Sequence, residues 1–139
     1  MSKYNTNLAS EFHVLSTLHR LGLEAVLTLG NKKMVDIVIT DEKGEVITID
    51  VKGLAGKYDW PADNIKKPGN SQHYIALVSF EGRIDDPSFT PKVWIIPYGD
   101  IKNFEKQYAT RKNISRSLIV NKGKKYLHAW ELLTNLSED

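Results

Sequence analysis

Three residues near the middle of this 139-residue chain, Asp36, Asp50 and Lys52, have types and spacing that could gather two carboxylates around a cation. Asp50 and Lys52 are two apart within the alternating run Val46-Ile-Thr-Ile-Asp-Val-Lys52, so on a strand they share a face. Asp36 lies in a second alternating run, Met34-Val-Asp-Ile-Val-Ile-Thr40. If Asp41 pairs with Glu45, the connection is Glu42-Lys43-Gly44, a three-residue turn whose last position favours a left-handed glycine. That register sets Asp36 opposite Asp50, with Cα atoms roughly 4.5–5.5 Å apart. Facing carboxylates repel unless a cation lies between them, and either Lys52 or a divalent metal ion could supply that charge.

The remaining elements have to position this pair. Residues 8–21 have the spacing of an amphipathic helix, with Asn5, Thr6 or Asn7 as N-cap and Gly22 as its stop. Leu8, Phe12, Leu15, Leu18 and His19 project to one side, and Glu11 falls inside that stripe. Such a carboxylate either snorkels out at the edge or is aimed into a polar site. Residues 23–29 read as a strand, 30–33 as a break, and 73–80 and 93–96 as buried strands. Helical spacing follows at 100–108 and 124–136, with a basic connector at 111–116 and a short strand at 118–120 between them. The segment 53–72 is punctuated by glycine and proline and reads as irregular. The order implies one α/β domain over residues 1–139, a central mixed sheet flanked by helices.

Composition narrows the alternatives. With no cysteine, neither disulfides nor thiolate metal sites are possible. No apolar run reaches the ~18 residues of a membrane span, and the first residues lack an apolar signal core, so a cytoplasmic protein without membrane contact is expected. The net charge of +2 does not by itself imply a nucleic-acid partner. Charge is uneven, however: residues 102–125 carry eight Lys or Arg against the single acid Glu105, either a solvated basic face or a phosphate-binding one. His19 reads as a satisfied core residue and His13 as outward-facing. His73, just ahead of a buried strand, is the histidine to watch.

In combination and order, Glu11 on a first helix, Asp36 on a strand and Asp50-Val51-Lys52 on its hairpin partner resemble the PD-(D/E)xK nuclease superfamily, the restriction-endonuclease-like fold. The pattern is most similar to small Holliday-junction-resolvase-like nucleases. Two departures are Val35, where the motif's name has proline, and Asp50, where glutamate is commoner. The resemblance implies a metal-dependent DNA endonuclease with Glu11, Asp36, Asp50 and Lys52 as catalytic residues. It implies Mg²⁺ or Mn²⁺ held by Asp36, Asp50 and the backbone carbonyl of Val51, with Glu11 as a further acid toward the metal. Lys52 would assist the attacking water.

DNA is then the expected partner, contacted by Lys57, Trp60, Arg111, Lys112 and Arg116. A chain this small offers limited surface for sequence readout, so a homodimer or specificity for DNA structure is expected. Tyr58 and Trp60 could stack on bases, or Trp60 could pack against Pro61 in the core. Two other functions compete with this one: a catalytically inactive nuclease-fold module that binds nucleic acid or a protein, and an interaction protein with an exposed Asp36/Lys52 ion pair.

Overall fold

The computed structural model describes residues 2–28, 35–63, 65, 69 and 72–134. Helix α1 (Lys3–Arg20) begins well before the expected start, because Ser2 is its N-cap and accepts from the Asn5 amide at 3.1 Å. Its buried stripe also differs from the expected one. Thr6, Ser10, Glu11, Val14 and Leu18 face inward, while Phe12 is 53% exposed. Two hydroxyls make this possible: Thr6 donates to the Ser2 carbonyl and Ser10 to the Thr6 carbonyl, so both can be buried without unmet hydrogen bonds.

Five strands form the main sheet: β1 (Ala25–Leu27), β2 (Ile37–Thr40), β3 (Val46–Leu54), β5 (His73–Ser79) and β6 (Lys92–Pro97). Their spatial order is β1-β2-β3-β5-β6, with β3 and β5 parallel and the other neighbours antiparallel, so the sheet is mixed as expected. A smaller antiparallel sheet, in the order β4-β8-β7, is built from β4 (Trp60–Pro61), β7 (Glu105–Gln107) and β8 (Lys112–Ile114).

Side chains alternating along β3 sort the protein into two cores. Ile47, Ile49 and Val51 pack with Val14 and Leu18 of α1 and with Ala129 and Leu133 near the end of the described chain. On the other face, Ile75, Leu77, Trp94 and Ile96 pack with Trp60, Phe104 and Ile114 under the small sheet. Helix α1 approaches the sheet closely at Gly53, where an added Cβ would lie 2.6 Å from the Ser10 Cβ.

Several expected elements change. Residues 98–104 form a 3-10 helix, and the chain then turns into β7 where the helix was expected to run to 108. The basic connector contains β8, the expected strand 118–120 lies inside helix α2 (Arg116–Lys122), and the segment 53–72 contains β4. The terminal helix divides into a 3-10 turn (Lys124–Tyr126) and helix α3 (Glu131–Thr134), with an isolated bridge from Leu127 to Trp94 between them. Ser115 explains α2: its hydroxyl accepts from Leu118 as an N-cap, which starts a helix just where three apolar residues suggested a strand. Residues 29–34 and 135–139, parts of the expected first strand, break and last helix, lie outside the described residues. No described helix is long and apolar enough to cross a membrane.

Candidate functional site

The hairpin closes as its turn predicts. Asp41 donates to the Glu45 carbonyl at 3.0 Å, and Gly44 has φ +82°, the left-handed position where a side chain is strained. Asp41 Oδ1 also accepts from the amides of Lys43 and Glu45, which secures the loop. Pairing then runs regularly from Thr40↔Val46 to Ile37↔Ile49.

At Asp36 the ladder slips. The Asp36 amide donates at 3.0 Å to the Ile49 carbonyl, which regular alternation assigns to Ile37. Two residues of β2's edge therefore oppose one of β3, the signature of a β-bulge, and the simple opposition of Asp36 and Asp50 is replaced by a diagonal one. The slip leaves the Val51 amide without its regular acceptor, the Val35 carbonyl, which instead accepts from the Thr28 hydroxyl. Asp36 Oδ2 takes over and accepts from Val51 N at 2.7 Å. The bulge thus turns the Asp36 carboxylate toward β3.

Asp36 and Asp50 are each only 8% exposed, which departs from the solvated ion pair of the interaction-protein alternative. Burial, and next the hydrogen bond to the Asp36 carboxyl, push Asp50 up to about 7, against the pull of Lys52. Lys52 Nζ is 3.7 Å from Asp50 Oδ1, beyond the roughly 2.7–2.9 Å of a strong charged hydrogen bond, so its donors are not committed to Asp50. A raised pKa beside a second carboxyl and a loosely held ammonium marks a cluster suited to binding a cation or handling a proton.

Glu11 is buried on α1, next to the Ser10–Gly53 contact. Its helix covers the β3 face carrying Val51 and Gly53, whereas Asp50 and Lys52 project from the other face. The structure therefore assembles Asp36, Asp50 and Lys52 at one place, with Glu11 buried on the helix that packs at Gly53.

The sequence reading left Thr48 and His73 out of the site. They are register partners on β3 and β5, joined by a 2.7 Å hydrogen bond between Thr48 Oγ1 and His73 Nδ1. Thr48 has the same parity as Asp50, so both belong to the Asp50 face. Burial holds His73 below its ordinary pKa, opposed by Thr48 and by the Asp36 charge, and its ring tilts against Tyr98 at 5.7 Å. Parity could have flagged Thr48; the parallel β3–β5 register that brings His73 to it is not written in local sequence.

Two of the expected DNA-contact residues serve the core instead. Trp60 is fully buried, edge-on to Trp94, and its indole N–H donates to the Val78 carbonyl. Arg116 lies over the Trp60 ring and donates to the carbonyls of Tyr58 and Gly56 and to Glu81, which fastens the loop before β4. Lys112 is exposed but paired with Glu105 at 3.6 Å, whereas Lys57 and Arg111 are exposed and make no ion pair with a described residue.

Asp36, Asp50 and the Val51 carbonyl are all hard oxygen donors of the kind Mg²⁺ or Mn²⁺ prefers. Among the described residues no group of three or more His, Cys, Asp or Glu is placed to hold a metal. Two carboxylates suffice for Mg²⁺ where water and substrate phosphate complete the shell, so the donor set fits such an ion.

No protein-family model matches the sequence. No curated protein matches it. Among solved structures, the bacterial homing endonuclease I-Ssp6803I aligns over 95% of this chain and 91% of its own, with a TM-score of 0.59 and 13% identity. This chain and that endonuclease share a fold.

Proposed function

We propose that this chain is a single-domain, metal-dependent nuclease of the PD-(D/E)xK type that hydrolyses phosphodiester bonds in DNA. The observation that carries the proposal is the buried Asp36–Asp50 carboxyl pair with Lys52 beside it. The fold shared with a homing endonuclease supports it. In this reading Asp36, Asp50 and the Val51 carbonyl hold Mg²⁺ or Mn²⁺. The ion supplies Lewis-acid assistance and charge neutralisation at the phosphate. Lys52 orients the attacking water and stabilises the charge that develops on the phosphorane-like transition state. Asp50 is half ionised near pH 7 in the metal-free protein and becomes available as a ligand as pH rises through that value. Glu11 contributes as an accessory acid from α1.

The test uses supercoiled, linear, branched and single-stranded DNA with Mg²⁺ or Mn²⁺, alongside Mn²⁺ binding followed by electron paramagnetic resonance. At least one DNA form should be cut. Asp50→Ala should abolish cutting and weaken Mn²⁺ binding, while Lys52→Ala should abolish cutting and retain Mn²⁺. Absence of Mn²⁺ binding, even with DNA present, would sink the reading. DNA binding and intact Mn²⁺ binding without cutting would favour the inactive module instead.

A further inference from the structure

We infer that the outer face of the small sheet and the loop leading into it form a DNA-contact platform. Tyr58 and Tyr108 stack on unpaired bases there, and Lys57, Lys106 and Arg111 engage the phosphates. This deepens the nuclease reading and rests on it: it assigns the DNA form that the enzyme engages and the residues that sense it.

The parity of the small sheet separates its faces. Trp60 pairs with Ile114, and both are fully buried, so their side defines the inner face. Glu105, Gln107 and Lys112 share that parity, while Lys106, Tyr108, Arg111 and Asn113 take the outer one. Tyr108 and Arg111 flank the Ala109-Thr110 loop of the β7–β8 hairpin, where the Tyr108 amide donates to the Arg111 carbonyl at 2.7 Å.

Asp59 ties the two tyrosines to one segment, Tyr108 by a hydrogen bond and Tyr58 as its neighbour in the chain. Tyr108 is 46% exposed and its hydroxyl donates to Asp59 Oδ2 at 3.1 Å; Tyr58, the preceding residue, is 70% exposed. Neither ring is loose. A Cβ at Gly56 would lie 2.5 Å from the Tyr58 ring, so that ring lies directly over the glycine. Arg116 also ties down the carbonyls of Gly56 and Tyr58, and its own amide donates to Asp59 Oδ1 at 3.0 Å. Exposed aromatic faces already held in place bind with little further ordering cost.

Charge points the same way. Asp59 is engaged by Tyr108 and the Arg116 amide, and Glu105 is paired with Lys112. Lys57, Lys106 and Arg111 are exposed and make no ion pair with a described residue. An acidic peptide would use the cations but not two rigid ring faces. Aromatic platforms set among cations that pair with no described acid suit unstacked bases on a phosphate backbone. Intact duplex offers the phosphates and keeps its bases stacked, so the platform distinguishes branched or locally unpaired DNA from it.

Binding can be measured in EDTA, which separates it from cutting, with a fluorescent adenine analogue in the unpaired arm of a forked DNA. Tyr58→Ala and Tyr108→Ala should each weaken fork binding about tenfold, lose the fluorescence change, and leave duplex binding within about twofold. Tyr58→Phe should keep wild-type fork binding, because the ring face is what it supplies. Lys57→Ala and Arg111→Ala should weaken all DNA forms and reduce the salt dependence by about one ion each. Wild-type fork binding by both alanine variants overturns the inference, as does a stronger preference for RNA or for an acidic peptide. If the wild type cuts DNA and the tyrosine variants bind like it, this inference fails and the nuclease reading stands. If the wild type neither binds nor cuts any DNA, both fail.

Discussion

Replacing Asp50 with asparagine should stabilise the metal-free protein above neutral pH, although it removes a residue placed at the centre of the site. The structure raises the Asp50 pKa from its ordinary 3.8 to about 7, by burial first and by the Asp36 carboxyl second. A group whose pKa is higher folded than unfolded holds its proton more tightly in the folded state. Its contribution to stability is therefore complete below about pH 4 and is lost as pH rises through about 7. The interval spans roughly three pH units at about 1.4 kcal/mol each, so up to ~4 kcal/mol is lost by pH 8, and nearer ~2 where water relaxes around the ionised pair. Asparagine keeps the size and can donate to Asp36 but carries no charge. Urea denaturation in EDTA at pH 5 and pH 8 should show the wild type losing about 1–3 kcal/mol relative to Asp50→Asn between the two, because the first unit of the interval is already spent at pH 5. Mg²⁺ should restore wild-type stability at pH 8 and leave the variant unchanged, because only the wild type gains a ligand linked to folding. Parallel pH profiles for the two proteins would refute the argument, since they would mean that Asp50 titrates normally in the folded chain.

Gly53→Ala should cost about 1–3 kcal/mol in thermal or chemical denaturation, because its new Cβ would lie 1.8 Å from the Ser10 hydroxyl oxygen. Combining it with Ser10→Gly should recover part of the loss that the two single changes add up to; strict additivity would show that the contact is not tight. Arg116→Ala should leave the core folded but raise amide hydrogen exchange across residues 56–60, which Arg116 fastens through two carbonyls. Unchanged exchange there would mean that the loop holds itself.

The site was more legible in the sequence than the layers around it. Alternation located β2 and β3, and Gly44 fixed their register, because both signals are local. The bulge at Asp36 was not legible, since it depends on the Thr28 hydroxyl taking the Val35 carbonyl from β3. The buried face of α1 misled for a related reason. Periodicity favours the apolar stripe through Leu8 and Phe12, but Gly53 admits close packing only by a small side chain, and the hydroxyls of Ser10 and Thr6 are satisfied within the helix. Residues 100–120 were misread where capping and non-local pairing decide the outcome. Ser115 starts a helix at an apolar triplet, and β8 exists because Trp60 and Pro61 pair with it.

The bulge also explains how one aspartate serves two roles. In a regular hairpin the Val51 amide would be tied to Val35, and Asp36 would project straight across at Asp50. With the slip, the Asp36 carboxylate both closes the broken ladder at Val51 and stands beside the Asp50 carboxyl. The backbone of β3 on either side of Asp50 is thereby fixed by the same residue that, after burial, most raises the Asp50 pKa. Removing the Asp36 side chain would leave the Val51 amide without this acceptor and Asp50 without its acidic neighbour, so structural and electrostatic losses come together. Asparagine at position 36 separates them: its amide oxygen can still accept from Val51, while the charge is gone. Asp36→Asn should therefore retain the wild-type melting temperature at pH 5, return the Asp50 pKa toward the ordinary carboxylate range, and weaken Mn²⁺ binding.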